Sequence, residues 1–327
     1  MKENGLITAY LLDGKGGGRR LDWAGVRLPP EIKPGEFLWF HMDYSQPDVQ
    51  RWLREESGLE EAIAETLLQE EIRPRVAVAR DALLLVARGV NLHPESDPED
   101  MVAIRMFVEE RRIVSTQRRP LLPVEDLCRA IDKGEGPETV SAFIADLNGR
   151  LVERIADVVE TLDDQLDALQ NEIMELSRYD IGLHRQISFL RLQFIRLRRY
   201  LSPQREALTR LHSERLSWLD EIERLRIRET ADRTIHYVED LDTARERATV
   251  AQEELFNLLS EQLNRRSYIL SLIAVIFLPL SFLTGLLGIN VGGIPGAESN
   301  LAFWIFTGVL IVLGILQVLW FKSKRWM

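Results

Sequence analysis

The hydrophobic and polar positions change character along the chain, and the change divides it into three parts. In the first part short apolar runs recur at residues 6–12, 37–42, 76–79, 83–88, 102–109 and 112–116, with turn residues between them, which predicts six strands. Helical periodicity appears instead at 47–56, 60–69 and 123–131. Strands interleaved with helices predict an α/β layer domain over residues 1–136. The GKGGG run at residues 14–18 reads as a hairpin turn, and Gly134-Glu135-Gly136-Pro137 reads as a break. Beyond the break the pattern is helical, with helices expected at 141–174 and 183–201. From residue 183 to residue 284 there is no glycine, and the only prolines are Pro203 and Pro279. From about residue 219 to residue 287 nothing stops a helix, which would be on the order of 100 Å long at 1.5 Å per residue. Residues 137–266 are therefore expected to form a helical stalk.

The third part, residues 267–327, is a different solvent problem. Residues 268–287 (YILSLIAVIFLPLSFLTGLL) and 301–321 (LAFWIFTGVLIVLGILQVLWF) carry no charged side chain, and each is long enough to cross a bilayer. Two such runs in succession predict a membrane hairpin with an outer loop at 288–300. Arg265 and Arg266 precede the first span, and Lys322, Lys324 and Arg325 follow the second, while the loop from 291 to 300 has no Lys or Arg. This bias puts both chain ends on the cytoplasmic side of a plasma membrane. Trp304 and Trp320 lie near the ends of the second span, where interfacial aromatics belong. Pro279 removes one backbone hydrogen bond and predicts a kink or local loosening.

Within the first span one row of positions reads Ser267, Ser271, Ala274, Leu278, Ser281, Gly285, Gly288, spaced alternately by four and three. Such a row forms one stripe on a helix. Two helices cannot enclose an aqueous path, so the stripe is either a pore lining shared between chains, with Leu278 as an apolar constriction, or a close-packing face. A second row, Ile269, Ile273, Ile276, Leu280, Leu283 and Leu287, falls about 200° away and suits neighbours or lipid. In the stalk, Leu241, Ala244, Ala248, Ala251, Leu255 and Leu258 form a heptad-like seam. It fits either partner chains or the earlier helices of the same chain.

Composition narrows the functions. The net charge of −10 argues against nucleic acid as a partner. A single cysteine, Cys128, excludes a disulfide framework and any multi-cysteine zinc site. The first ten residues lack the pattern of a signal peptide. No P-loop, GxSxG, HExxH or CxxC motif is present, so no enzyme is expected. Asp232, His236 and Asp240 have helical metal-ligand spacing, read either as a metal site or as a solvated face. Asp163, Asp164 and Asp167 read as charged surface. Glu298 is the only acidic residue of the outer loop and, repeated by symmetry, would gather cations at a pore mouth.

A first span ending PLSFLTGLLGIN, with Gly288-Ile289-Asn290 at its outer end, resembles the CorA metal-ion transporter family, which carries a Gly-x-Asn signature at this place. The large N-terminal domain, long stalk, second span and basic tail follow in the family's order. Ile289, where that family usually has Met, points to its zinc-transporting ZntB branch. So do Arg73-Pro74-Arg75-Val76, Ile113-Val114-Ser115-Thr116 and Gly292-Gly293-Ile294-Pro295-Gly296. The resemblance implies an α+β membrane protein built as a funnel-shaped homopentamer in the bacterial inner membrane. It implies Asn290 ringing the outer pore entrance and Asn264, Ser267, Ser271, Leu278 and Ser281 facing the pore. No cofactor is implied. The transported ion would be Zn2+, with Cd2+, Ni2+ and Co2+ as further candidates, and uptake would be coupled to protons. Two other readings stay open at this point: a magnesium or cobalt channel gated by cytoplasmic metal, and a membrane-anchored structural or signalling protein.

Overall fold

The computed structural model describes residues 4–91, 100–288, 299 and 301–323. Of the residues singled out above, Ile289, Asn290, Glu298, Lys324 and Arg325 lie outside that set, as do the glycines of the outer loop. The chain forms two compact units, one from residues 1–175 and 181–252, the other from 176–180 and 253–327.

The first unit is built on a seven-stranded sheet: β1 (Leu6–Leu12), β2 (Gly18–Arg20), β3 (Phe37–Asp43), β4 (Arg75–Ala79), β5 (Ala82–Gly89), β6 (Val102–Glu109) and β7 (Arg112–Gln117). Their order is β2-β1-β3-β7-β6-β5-β4. All neighbours are antiparallel except β3 and β7, which run parallel from Leu38↔Arg112 to Asp43↔Gln117. The six expected strands are all present. The seventh, β2, is the far side of the GKGGG hairpin, whose turn is closed by Asp13: its carboxylate accepts from Lys15 N at 2.8 Å and Gly17 N at 3.0 Å. Three residues are too few to show an alternating pattern, and so β2 escapes a reading by period. Strands β3, β6 and β7 lie inside the sheet and are buried on both faces; β3 and β6 are mostly apolar, whereas β7 buries the polar Ser115, Thr116 and Gln117.

Helices α1 (Trp23–Arg27), α2 (Pro47–Arg51), α3 (Glu61–Leu68) and α4 (Leu122–Lys133) are short. The segment expected as one helix at 47–56 is α2 followed by a single π-helical turn, Trp52–Glu56. The break after α4 is a left-handed cap at Gly134, φ 77°, and Gly136 N donates to Gly16 O at 2.7 Å, which ties the break to the GKGGG hairpin.

Three long helices follow. Helix α5 (Val140–Glu175) starts at Thr139, whose Oγ1 accepts from Ala142 N at 3.0 Å. It buries Val140, Phe143, Ile144, Leu147 and Leu151 against the sheet, the i, i+3, i+4, i+7, i+11 pattern of one helical face. Phe143 meets the indole of Trp39 edge-on with centroids 4.8 Å apart, and Tyr10 stacks on Trp39 at 5.9 Å. Helix α6 (Ile181–Ser213) runs through Pro203 and lies against β4 and β5. Helix α7 (Glu221–Gly288) is a single element of 68 residues that also runs through its proline, Pro279. It is capped by Asp220, whose carboxylate accepts from Glu223 N at 2.9 Å.

The alanine seam of α7 is resolved in favour of the chain's own helices: Leu241, Ala244, Ala248 and Ala251 are buried within the single chain. Polar clamps flank it. Asp242 pairs with Arg198 of α6 at 2.5 Å, Arg247 with Asp163 of α5 at 2.9 Å, and Gln252 Nε2 donates to Ser188 Oγ at 2.7 Å. Arg247 also bonds Asp167 and Gln170. Two of the three aspartates read as plain charged surface therefore hold α5 to α7.

The second unit contains the remainder of α7 and α8 (Ala302–Ser323). Ser299 opens α8: its hydroxyl accepts from Leu301 N at 3.3 Å and its carbonyl from Ala302 N at 3.1 Å.

Candidate pore helix and membrane hairpin

Among the described residues, α7 and α8 are the two helices long and apolar enough to cross a membrane. Their apolar stretches leave large side chains exposed, among them Leu270, Phe277, Phe282, Phe303 and Ile305, as lipid-facing or partner-facing surfaces must. Trp304 and Trp320 are exposed near the two ends of α8.

One face of each helix is covered by the other. On α7 the partly buried positions are Leu272, Ile276, Leu280 and Leu283. On α8 they are Ala302, Phe306, Leu310, Leu313 and Gln317, continued by buried Phe321. Both rows step by three or four, so each is one helical face. Gly314 faces α7 here: a Cβ on it would make ordinary contact with Leu280 Cδ1 at 4.0 Å. The second row expected on the first span is thus displaced by one residue at its start. Leu272 takes the place of Ile273, while Ile269, Ile273 and Leu287 stay exposed. Gln317, a polar side chain on this covered face, was not picked out by the sequence reading, because one amide in an apolar run does not disturb its hydropathy. Its Oε1 is buried without a hydrogen bond.

The small-residue stripe lies on the other side. At 100° per residue, Ser267, Ser271, Ala274, Leu278, Ser281 and Gly285 centre about 180° from the row that meets α8. All are exposed in the single chain, as is Asn264, about one turn before Ser267, and Leu278 reaches 73 %. Gly288 closes the stripe as the last residue of α7. The stripe therefore does not serve packing within the hairpin, and the close-packing reading survives only as packing between chains.

The candidate metal triad does not assemble. Asp232, His236 and Asp240 are all exposed on α7. Asp232 lies 4.0 Å from Arg228, and His236 Nδ1 lies 3.7 Å from Glu239. Among the described residues no three His, Cys, Asp or Glu side chains are grouped to hold a metal ion. The reason is geometric: positions i and i+8 are separated by about 12 Å along the axis, beyond the span of one coordination sphere.

Comparison with known proteins decides the family. The family described as CorA-like Mg2+ transporter protein matches residues 34–325. The chain belongs to the CorA family of metal-ion transporters. Over 328 residues it is 40% identical to a divalent cation transporter, CmaX, of Pseudomonas aeruginosa, covering 99% of this chain and 98% of that one. It is 34% identical over 321 residues to the zinc transport protein ZntB of Yersinia enterocolitica, covering 98% and 96%. The full-length CmaX structure superposes with a TM-score of 0.85 at 39% identity, covering 99% of both chains. The complete CorA magnesium transporter of Methanocaldococcus jannaschii superposes at 0.82 with 17% identity, covering 98% and 99%, a likeness of fold. Membership in this family displaces the reading as a membrane-anchored structural or signalling protein, and it agrees with the expectation of a transporter in place of an enzyme.

Proposed function

We propose that this CorA-family chain is one subunit of a homopentameric divalent-cation transporter that takes up zinc across the bacterial inner membrane. The observation that carries the reading is the small-residue stripe of α7, exposed on the side of the helix opposite α8. In a ring of chains that stripe would face the axis, with Ser267, Ser271 and Ser281 offering hydroxyls and Leu278 an apolar constriction. Asn264 would stand at the cytoplasmic mouth and Asn290 at the outer one. Neutral amide and hydroxyl oxygens are weak inner-sphere ligands for zinc, which favours His, Cys and carboxylate. The ion therefore passes largely hydrated, and discrimination among Zn2+, Cd2+, Ni2+ and Co2+ is shallow. Glu298 of the outer loop supplies the negative charge that concentrates cations before entry. Both chain termini face the cytoplasm, in keeping with the basic residues that flank the spans.

Zinc as cargo rests on Ile289 and on the ZntB relatives. The match to a magnesium transporter family and the higher identity to CmaX support a second reading, a channel of broader divalent selectivity. Proton coupling is the further element drawn from the ZntB resemblance. Since neither span carries a charged side chain, the proton would travel by pore water or through groups outside the bilayer. Metal flux into liposomes containing the purified chain separates these readings. Zinc flux that rises with an inward proton gradient supports proton-coupled zinc uptake; magnesium flux equal to zinc flux with no gradient effect supports the broad channel. Absence of any divalent flux refutes both.

A further inference from the structure

Six arginines widely separated in sequence converge on one cavity of the first unit. Arg88 on β5 and Arg105 on β6 sit on the same face of the sheet, one diagonal step apart in a register that pairs Arg88 with Ala103 and Val86 with Arg105. Arg73, Arg118, Arg119 and Arg199 complete the group around a cavity of about 630 Å3 at the ends of these strands, where α6 passes. Among the described residues three carboxylates share the lining, and two are already used: Arg118 bonds Glu70, and Arg119 bonds Asp100. Glu71 is the third.

The two deepest guanidinium groups hydrogen-bond to main-chain carbonyls and face aromatic rings. Arg88 is 9 % exposed; its Nη1 donates to Met101 O at 2.6 Å and its Nη2 to Ile72 O at 3.0 Å, and it lies 4.0 Å from the centre of the Tyr200 ring. Arg105 is 1 % exposed; its Nη2 donates to Glu70 O at 2.9 Å, it faces the Tyr44 ring at 4.5 Å, and its Nε is buried with no hydrogen bond. Burial pulls both below the usual arginine range; Arg88 lowers Arg105 further, and Arg119 and Arg199 lower Arg88. Burying a guanidinium carries a large desolvation cost; Asp100 near Arg88 and Glu70 near Arg105 offset part of it, and a further counter-charge would complete the arrangement. Guanidinium forks match phosphate oxygens two at a time, and several forks around one cavity match a group with more than one negative charge. The volume falls in the range of small-ligand pockets.

We propose that this cavity is a binding site for a compact phosphate-bearing anion, read by Arg88 and Arg105 from its floor and by Arg73 and Arg199 from its rim. The lining residues all belong to the first unit, so the proposal stands whether or not the transport reading does.

Isothermal titration of the purified full-length protein with inorganic pyrophosphate tests it, with ATP as a second arm. The expected result is saturable binding by both, with a pyrophosphate Kd on the order of 0.1 mM. Arg73 and Arg199 are exposed and pair with no carboxylate among the described residues, so the double variant Arg73→Gln/Arg199→Gln should keep its melting temperature. It should lose pyrophosphate affinity at least about tenfold, and Arg199→Lys should restore only part of the loss, because the bidentate fork is gone. Pyrophosphate silence up to several times that concentration would overturn the proposal, carboxylates of this chain or of a neighbouring subunit already neutralising the cavity. ATP binding without pyrophosphate binding, or affinity unchanged in the double variant, would overturn it equally, since phosphate would not then be what the arginines recognise.

Discussion

Replacing Ala248 by leucine tests which surface the alanine seam belongs to. Ala248 is fully buried within one chain, between the Asp242–Arg198 and Arg247–Asp163 pairs on one side and the Gln252–Ser188 bond on the other. Leucine adds three carbons. With space to receive them they would contribute at most about 2.4 kcal/mol, from roughly 0.8 kcal/mol per buried methylene. Space must come from separating α7 from α5 and α6, and the flanking clamps oppose that movement. Overpacking a close-packed core costs about 1–3 kcal/mol, so a net loss near 2 kcal/mol is expected. For a unit of this size each kcal/mol moves the melting temperature by about 2–4 °C, which puts the shift at roughly 4–8 °C downward. Thermal unfolding of the full chain in detergent, followed by circular dichroism, reads it directly. Val250→Leu, on the half-exposed face, serves as the control and should melt within about 1 °C of the parent protein. A melting temperature that is unchanged or raised in Ala248→Leu would refute the intrachain packing. So would a loss that grows on dilution, because the seam would then be a contact between chains.

Three further outcomes follow from particular groups. Leu278→Ala removes the apolar side chain from the proposed constriction and should raise zinc leak into liposomes severalfold; unchanged flux would count against Leu278 facing the pore. Burial pushes the Cys128 thiol up to about 11. On the order of one thiol in a thousand is then ionised at pH 8, so alkylation of the folded protein should be far slower than of the unfolded chain and should rise about tenfold per pH unit. Hydrogen bonds from Arg20, at 2.5 Å, and Tyr10, at 2.8 Å, hold the Asp132 carboxyl below the usual range, the Arg20 bond being the larger cause. A depressed carboxyl stabilises the fold above its unfolded pKa and ceases to do so as pH falls through its folded value. Asp132→Asn should therefore cost up to about 1 kcal/mol at pH 7, the pair being exposed, and the gap from the parent protein should close in melts below about pH 4.

Elements with long, consistent periods were legible in the sequence. The glycine-free run gave α7 to within about two residues at each end, and the two uncharged stretches gave the apolar ends of α7 and α8. Neither Pro203 nor Pro279 interrupts its helix, because a long element with a packed or apolar face tolerates one missing bond. Short elements were not legible: β2 and α1 hold three and five residues, too few to express a period. The stripe on the first span was readable as a stripe, while its exposure opposite α8 required knowing which residues α8 covers. Long-range charge partnerships were the least accessible. Asp163 and Asp167 look like solvated surface until Arg247, some eighty positions away, is brought to them. The arginine cavity draws on strands, strand ends and α6, and no local motif announces it.

The two borders of the sheet bear on how copies of this chain can associate. An open strand edge invites another strand, and a β protein can grow by that route. Here one border is β2, three residues long with Arg19 and Arg20 exposed upon it, and the other is β4, five residues long and in contact with α6. Neither offers a long bare row of amides and carbonyls. A second copy is thus discouraged from joining by β-addition, and the proposed homopentamer would assemble through helical surfaces, where the number of subunits is set by side-chain fit.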